Sequence, residues 1–482
     1  MQVSFPAHDL YRRWRQQIQL GTIVRETAAT EPPERLLQSV WHHQRLLRDR
    51  LVTLDGRTLR VLHPGFLNRE AGPDFRGAIV QFDDDAPVTG DVEVDLRAAG
   101  WKHHGHDRNP GFRQVILHVI WSHQGESFPA APTLVLRPVL DATVEDLEEW
   151  FRAELPGDWP ATLRGRCCAP LRNLSAETLS QLLRQAAQVR LERKAAEIKL
   201  RARQAGWENA FWEAMLRALG YKQNPWPMLR LGELLPALHK IPPHSALEWQ
   251  AILLGIAGLL PAEATSRATL NRKYVMELWS IWWRHRAELS VSLLPRSIWR
   301  FNGVRPPNHP ERRLALAAHW LASGLMLDRV EKWFQTEPAP SRPALAEALE
   351  IPEDPFWNHH WTLRSAKFRK PAPLLGDARM TDLALNVILP WFWSRAQLGR
   401  NKSMQQRAEQ CYFSWPSGQD NSLLRTARQR LLGGNVRPPG GAAAQQGLLQ
   451  IIRDFCDHSN SLCEECRFPA LVQQLELPGG AL

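Results

Sequence analysis

Cysteine is scarce: six residues in a chain of 482 are better read as packing residues or metal ligands than as a disulfide frame. Long apolar runs are also missing. The longest, Ala251 to Leu260, is too short to span a bilayer, and no early stretch has the basic, apolar and small-residue order of a signal peptide. These absences predict a cytoplasmic protein with no membrane partner. The net charge of +10 is not concentrated in a basic tail, and it favours an anionic partner such as nucleic acid without requiring one. Tyrosine occurs 4 times against 21 tryptophans, and the helix-like spacing of most tryptophans assigns them to core packing rather than base stacking.

At 482 residues the chain exceeds what one hydrophobic core organises, and its 44% hydrophobic and 23% charged content is that of an ordinary folded protein, so two or more units are expected. Residues 1–33 read as an N-terminal arm, amphipathic from Leu10 to Leu20. From Glu34 to Leu47 the stripe Leu36, Leu37, Val40, Trp41 and Leu47 predicts a helix, and Asp55-Gly56 predicts a hairpin turn. Strand-like runs follow at Phe75 to Phe82, Asp91 to Leu96, Val115 to Trp121 and Thr133 to Arg137. Residues 34–141 therefore form an α+β unit, a mixed sheet with flanking helices. Residues 142–446 carry helical periodicity without a fixed repeat, and residues 447–482 form a cysteine-containing tail.

Helix starts are marked by Ser175, by Ser245 to Glu248 at capping-box spacing, and by Asn308 to Glu311 with proline inside. Behind Ser175, the segment Arg184 to Arg203 carries seven basic residues against Glu192 and Glu197. Such a helix either lies along a phosphate backbone or presents an ordinary solvated face.

Acids and histidines concentrate between Gly72 and Val119. Asp74 stands at the entrance of one strand, and alternation puts Asp91, Glu93 and Asp95 on one face of the next. Close carboxylates repel and raise one another's pKa, which makes a divalent metal, Mg²⁺ or Mn²⁺, their natural partner. The loop Trp101 to Asp107 adds Lys102, His103, His104 and His106, and His118 lies in the following strand. These histidines are candidate ligands or general bases.

Asp74 and Glu93 on successive strands, with a preceding helix that brings Glu34, resemble the PD-(D/E)XK phosphodiesterase superfamily, whose Asp opens one core strand and whose Glu-X-Lys lies on the next. The resemblance implies metal-dependent cleavage of nucleic acid. It departs at the lysine, whose place holds Asp95. Lys102 or Arg97 reaches in from elsewhere, a histidine substitutes, or the site does not cleave. The rival expectation is a non-catalytic nucleic-acid-binding or scaffold protein.

In the tail, Cys456, Cys463 and Cys466 have metal-ligand spacing, with Cys411, His458, Cys167 or Cys168 as the fourth ligand, and predict zinc or an iron–sulfur cluster. Some nucleases of the same superfamily carry a similar late cluster. Across most of its length the chain also resembles a bacterial family, domain of unknown function 2851. Leu37 to Trp41, Gly72 to Phe75, Gly90 to Asp95, His104 to His106, Val115 to Val119, Leu219 to Asn224, Arg305 to Asn308 and Asn386 to Pro390 carry this likeness. The family pattern has histidine where this chain has Asp95, a departure that bears on that side chain's role.

Overall fold

The computed structural model describes residues 9–15, 32–68, 72–103, 106, 109–123, 131–147, 169–238, 245–261, 271–287, 289, 293–301, 304–336, 340–434, 436–455 and 467–476. It has an N-terminal mixed sheet followed by a large helical region. Helix α1 (Glu34–His42) buries Leu36, Leu37, Val40 and Trp41. It stops short of Leu47 because Gln44 turns into the left-handed region at φ 50°, where a helix cannot continue. The strands are β1 (Leu59–His63), β2 (Phe66–Leu67), β3 (Phe75–Phe82), β4 (Val88–Asp95), β5 (Val115–Ile120) and β6 (Thr133–Val135), with the one-turn helix α2 (Gly100–His103) between β4 and β5.

The sheet order is β1-β3-β4-β5-β6, with β2 beside the start of β3. The short link 83–87 allows β3 and β4 to pair antiparallel, as the sequence predicts. Residues 96–114 are long enough for a crossover, so β5 lies parallel to β4, with Glu93 opposite His118. Val92 and Val94 enter the sheet core with Phe75, Leu117 and Val119. A bulge in β3 centres on Gly77 at φ 65°. The Gly77 N–H donates to Asp91 Oδ1 at 3.1 Å, which gives that acid a structural task. The expected Asp55-Gly56 hairpin is reduced to a single bridge between Val52 and Thr58.

Beyond the sheet, α3 (Ala176–Ala205) starts at Ser175, whose Oγ accepts from Thr178 N. α4 (Trp207–Leu219) and α5 (Pro225–Leu238) pack together, and Leu62 and Ile79 of the sheet join the helical core. Ser245 caps the helix Ala246–Ile256 as expected. Asn308 does not cap the next helix: that helix starts at Pro310, and Asn308 accepts from Arg313 instead. Trp14, Trp41, Trp320, Trp357 and Trp391 are fully buried, in keeping with a packing role. No helix among the described residues is long and apolar enough to cross a membrane.

Gly90 sits where β4 passes close to the start of β5, since a Cβ there would lie 2.6 Å from the Gln114 carbonyl oxygen. Gly90→Ala is expected to push the two strands apart and destabilise the sheet by about 1–3 kcal/mol. A lowered denaturant midpoint followed by the near-ultraviolet signal would register it, and an unchanged midpoint would refute the close approach.

Candidate metal centre

The entry to β3 is fixed by Asn68, whose N–H donates to the Asp74 carbonyl at 2.6 Å and whose amide donates to that of Pro73 at 2.9 Å. Asp74 and β4 then clasp each other. The Asp74 N–H donates to Glu93 Oε2 at 3.0 Å, and the Val94 N–H donates to Asp74 Oδ2 at 3.1 Å. Gln38 of α1 donates to Asp74 Oδ1 at 3.0 Å and to Glu34 Oε1 at 3.3 Å. Strand alternation puts Asp95 beside Glu93, and the parallel register brings His118 to it, with Nε2 2.9 Å from Asp95 Oδ2.

His106 comes from the loop after α2 and places Nδ1 3.4 Å from Glu93 Oε1. Its ring stacks on Phe112 at 4.0 Å and meets the edge of Trp101 at 5.5 Å. Gly100 leaves room for Asp95, because a Cβ there would sit 2.7 Å from Asp95 Oδ1. One ligand atom each from Glu93, Asp95 and His106 lies within 4.8 Å of the others. Glu93 and Asp95 are 7% and 2% exposed, and His118 is fully buried.

Burial, then the charge of Asp74, and also those of Asp95 and Glu34, push the Glu93 carboxyl up to about 9. Burial and Glu34 raise Asp74 to about 7 against the pull of the Val94 N–H and Gln38. Acids held this way ionise readily only when a cation joins them. Two carboxylates and an imidazole form a mixed oxygen and nitrogen set that suits a borderline divalent ion. The His118 bond to Asp95 is the outer support that such ligands need to keep their orientation.

The cofactor expectations therefore need correction. Among the described residues, the group able to hold a metal is Glu93, Asp95 and His106, not a thiolate set in the tail. It joins Glu93 and Asp95, expected as Mg²⁺ or Mn²⁺ ligands, to His106, one of the histidines offered as ligand or general base. Asp74 adjoins the group with both oxygens already engaged. Cys411, offered as a fourth thiolate, is a buried free thiol whose Sγ faces the Pro340 carbonyl, and burial raises its pKa to about 12. Cys456, Cys463, Cys466, Cys167, Cys168 and His458 lie outside the described residues, as do His104 and Asp107. Lys102 belongs to α2, and its side chain is likewise outside the description. Sequence reasoning missed Gln38, although its place four residues after Glu34 puts both on one helix face.

The chain matches the model of the family described as protein of unknown function DUF2851 over residues 34–421, and it belongs to that family. No curated protein and no solved structure matches it.

With no ion bound, Glu93 holds its proton more tightly in the folded state than in the unfolded chain. Its contribution is present below the ordinary value of 4.5 and is lost as pH rises toward 9. An ion competes with that proton, so the melting-temperature gain from Co²⁺ or Zn²⁺ should be small near pH 5.5 and grow toward pH 8.5. At a hundredfold excess over Kd the gain corresponds to about 2.7 kcal/mol. A gain independent of pH, or one that persists in Glu93→Gln, would separate the ion from this site. His118→Phe removes the brace on Asp95 and should weaken the ion's affinity roughly 10–100-fold by calorimetry. Unaltered affinity would show that Asp95 needs no brace.

Proposed function

We propose that the protein is a metal-dependent phosphodiester hydrolase acting on nucleic acid, with the ion held by Glu93, Asp95 and His106 and with Asp74 at the edge of the site. The observation that carries this reading is the convergence of Glu93, Asp95 and His106 in a buried corner, with their ligand atoms within 4.8 Å. The reading also draws on the resemblance to the PD-(D/E)XK core of a helix followed by a strand opened by Asp74 and a strand carrying Glu93, with β1 and β2 intervening between the helix and that pair. When bound, a divalent ion supplies electrostatic stabilisation of the charge that develops on the phosphoryl oxygens.

The chain's own groups do the rest. Gln38 and the Val94 N–H hold the Asp74 carboxylate, and His118 holds that of Asp95. Trp101 and Phe112 wall the His106 ring and limit the water around it. Lys102 or His104, four and two residues before His106 in the sequence, is proposed to position or deprotonate the attacking water. The net charge of +10 suits an anionic substrate.

One feature favours a second reading. Asp95 occupies the place of the motif lysine and is locked to His118, which also suits a binding or scaffold protein whose ion is structural. Incubating single- and double-stranded DNA and RNA with a panel of divalent ions separates the two. Hydrolysis lost in Glu93→Gln with binding retained is the expected result. Salt-sensitive binding without cleavage of any substrate would favour the second reading. Neither binding nor cleavage would remove nucleic acid from the proposal.

A further inference from the structure

A cavity of about 480 Å³ lies between the segment after α1 and helices α3, α4 and α5, and is closed on another side by the helix Asp377–Leu383. Its walls are ionic. Some of the charges are balanced: Arg45 Nη2 lies 3.0 Å from Asp141, and Arg201 grips Glu213 with two hydrogen bonds of 2.7 and 2.9 Å. Around the middle of α3 the balance fails. The single carboxylate of Glu197 faces Arg193 at 2.9 Å, Arg217 at 3.8 Å and Lys194 at 3.9 Å. Arg190, one turn before Lys194, donates at 2.6 Å to the neutral amide of Gln446.

Across the cavity, the Arg379 guanidinium lies over the Tyr221 ring and donates from Nε to the Tyr221 hydroxyl at 2.6 Å. The Arg379 side chain is 6% exposed, its contact with Asp382 is 3.5 Å long, and its Nη2 has no hydrogen-bond partner among the described residues. Tyr221 takes a backbone φ of 55° in the turn that ends α4, where its N–H donates to the Ala218 carbonyl at 3.3 Å.

Arg193, Lys194 and Arg217 around Glu197, with Arg190 one turn away, are like charges in a recessed space and repel one another unless an anion joins them. Their pKa values reflect the crowding. Although Glu197 supports the Lys194 ammonium, burial and the neighbouring Arg193, Arg190 and Arg217 draw it down to about 7. Burial, followed by Arg193, lowers Arg190 to about 10, and burial lowers Arg379 to about 10. A guanidinium matches phosphate oxygens in geometry as well as in charge, Arg379 keeps Nη2 available while its Nη1 donates to the Ala218 carbonyl at 3.2 Å, and the volume is that of a small-molecule site.

We propose that this cavity binds a multiply charged phosphate anion of nucleotide size, with Arg190, Lys194, Arg217 and Arg379 as its ligands. The same chemistry is offered by a free nucleoside triphosphate and by the 5′-phosphate end of a nucleic acid strand. The site is distinct from the metal centre and does not depend on hydrolysis there.

The test measures melting temperature and calorimetric affinity of the full chain at low salt, with a chelator present so that the metal centre cannot contribute. The probes are a nucleoside triphosphate, inorganic triphosphate, a 5′-phosphorylated oligonucleotide and its 5′-hydroxyl twin. Binding of the two triphosphates but neither oligonucleotide assigns the site to free nucleotide. Preference for the phosphorylated oligonucleotide over its twin assigns it to a strand end. In Lys194→Gln the unliganded protein should melt at an equal or higher temperature, because a crowded charge is gone, while the anion-dependent rise disappears. Arg379→Lys keeps the charge but loses the fork, and should weaken binding about tenfold. Absence of binding by every probe at about 1 mM, or affinity unchanged in both variants, would overturn the proposal.

Discussion

The burial of Glu93 and Asp95 beside Asp74 is the constraint on which the N-terminal unit turns. Three acids drawn out of water repel one another, and ordinary hydrogen bonds answer only part of that cost. The backbone answers some of it: the Val94 N–H satisfies Asp74, and the Asp74 N–H satisfies Glu93. Such bonds locate the carboxylates without neutralising them. His106 and His118 reach the same corner from a loop and a strand, so the register of β4 against β5 decides whether the group assembles at all. A slip of one residue would send His118 to the opposite face.

The helical region holds the opposite imbalance. Arg190, Arg193, Lys194 and Arg217 crowd around Glu197, while the sheet crowds its acids. Helix α1 connects the two regions. Gln38 touches Asp74, and the segment just beyond the helix, from His43 to Arg48, lines the cationic cavity. The five residues from Gln38 to His43 correspond to roughly 7.5 Å of helical rise. α1 and the segment after it therefore border excess charge of each sign, the acids on the strands and the bases on the helices.

What was legible in the sequence was local. Alternation in β4, the turn before it and the cap at Ser175 are set by residues within a few positions of one another, and β3, β4 and α3 form where those signals put them. His106 could be picked out because histidines crowd its loop, though spacing alone could not distinguish it from His103 or His104. The basic run of α3 gave no comparable guide to its partners within the fold. Arg201 finds Glu213 on the next helix, Arg190 finds Gln446 near the end of the chain, and Arg379 enters from yet another helix. Periodicity describes the faces of one helix and is silent on what packs there, so a cavity built from several helices leaves no contiguous trace.

Both imbalances have the same thermodynamic consequence. A buried charge without a full complement makes the free protein less stable than a neutral core of the same shape would be, whereas a ligand that binds only the folded state returns stability in proportion to its concentration over Kd. The acids call for a cation and the arginines for an anion, so the two kinds of ligand should act through separate groups on the same fold. An ion at Glu93, Asp95 and His106 would answer the sheet, as the proposed phosphate among Arg190, Lys194, Arg217 and Arg379 would answer the helices. α1 and the segment after it border both regions, through Gln38 on one side and His43 to Arg48 on the other.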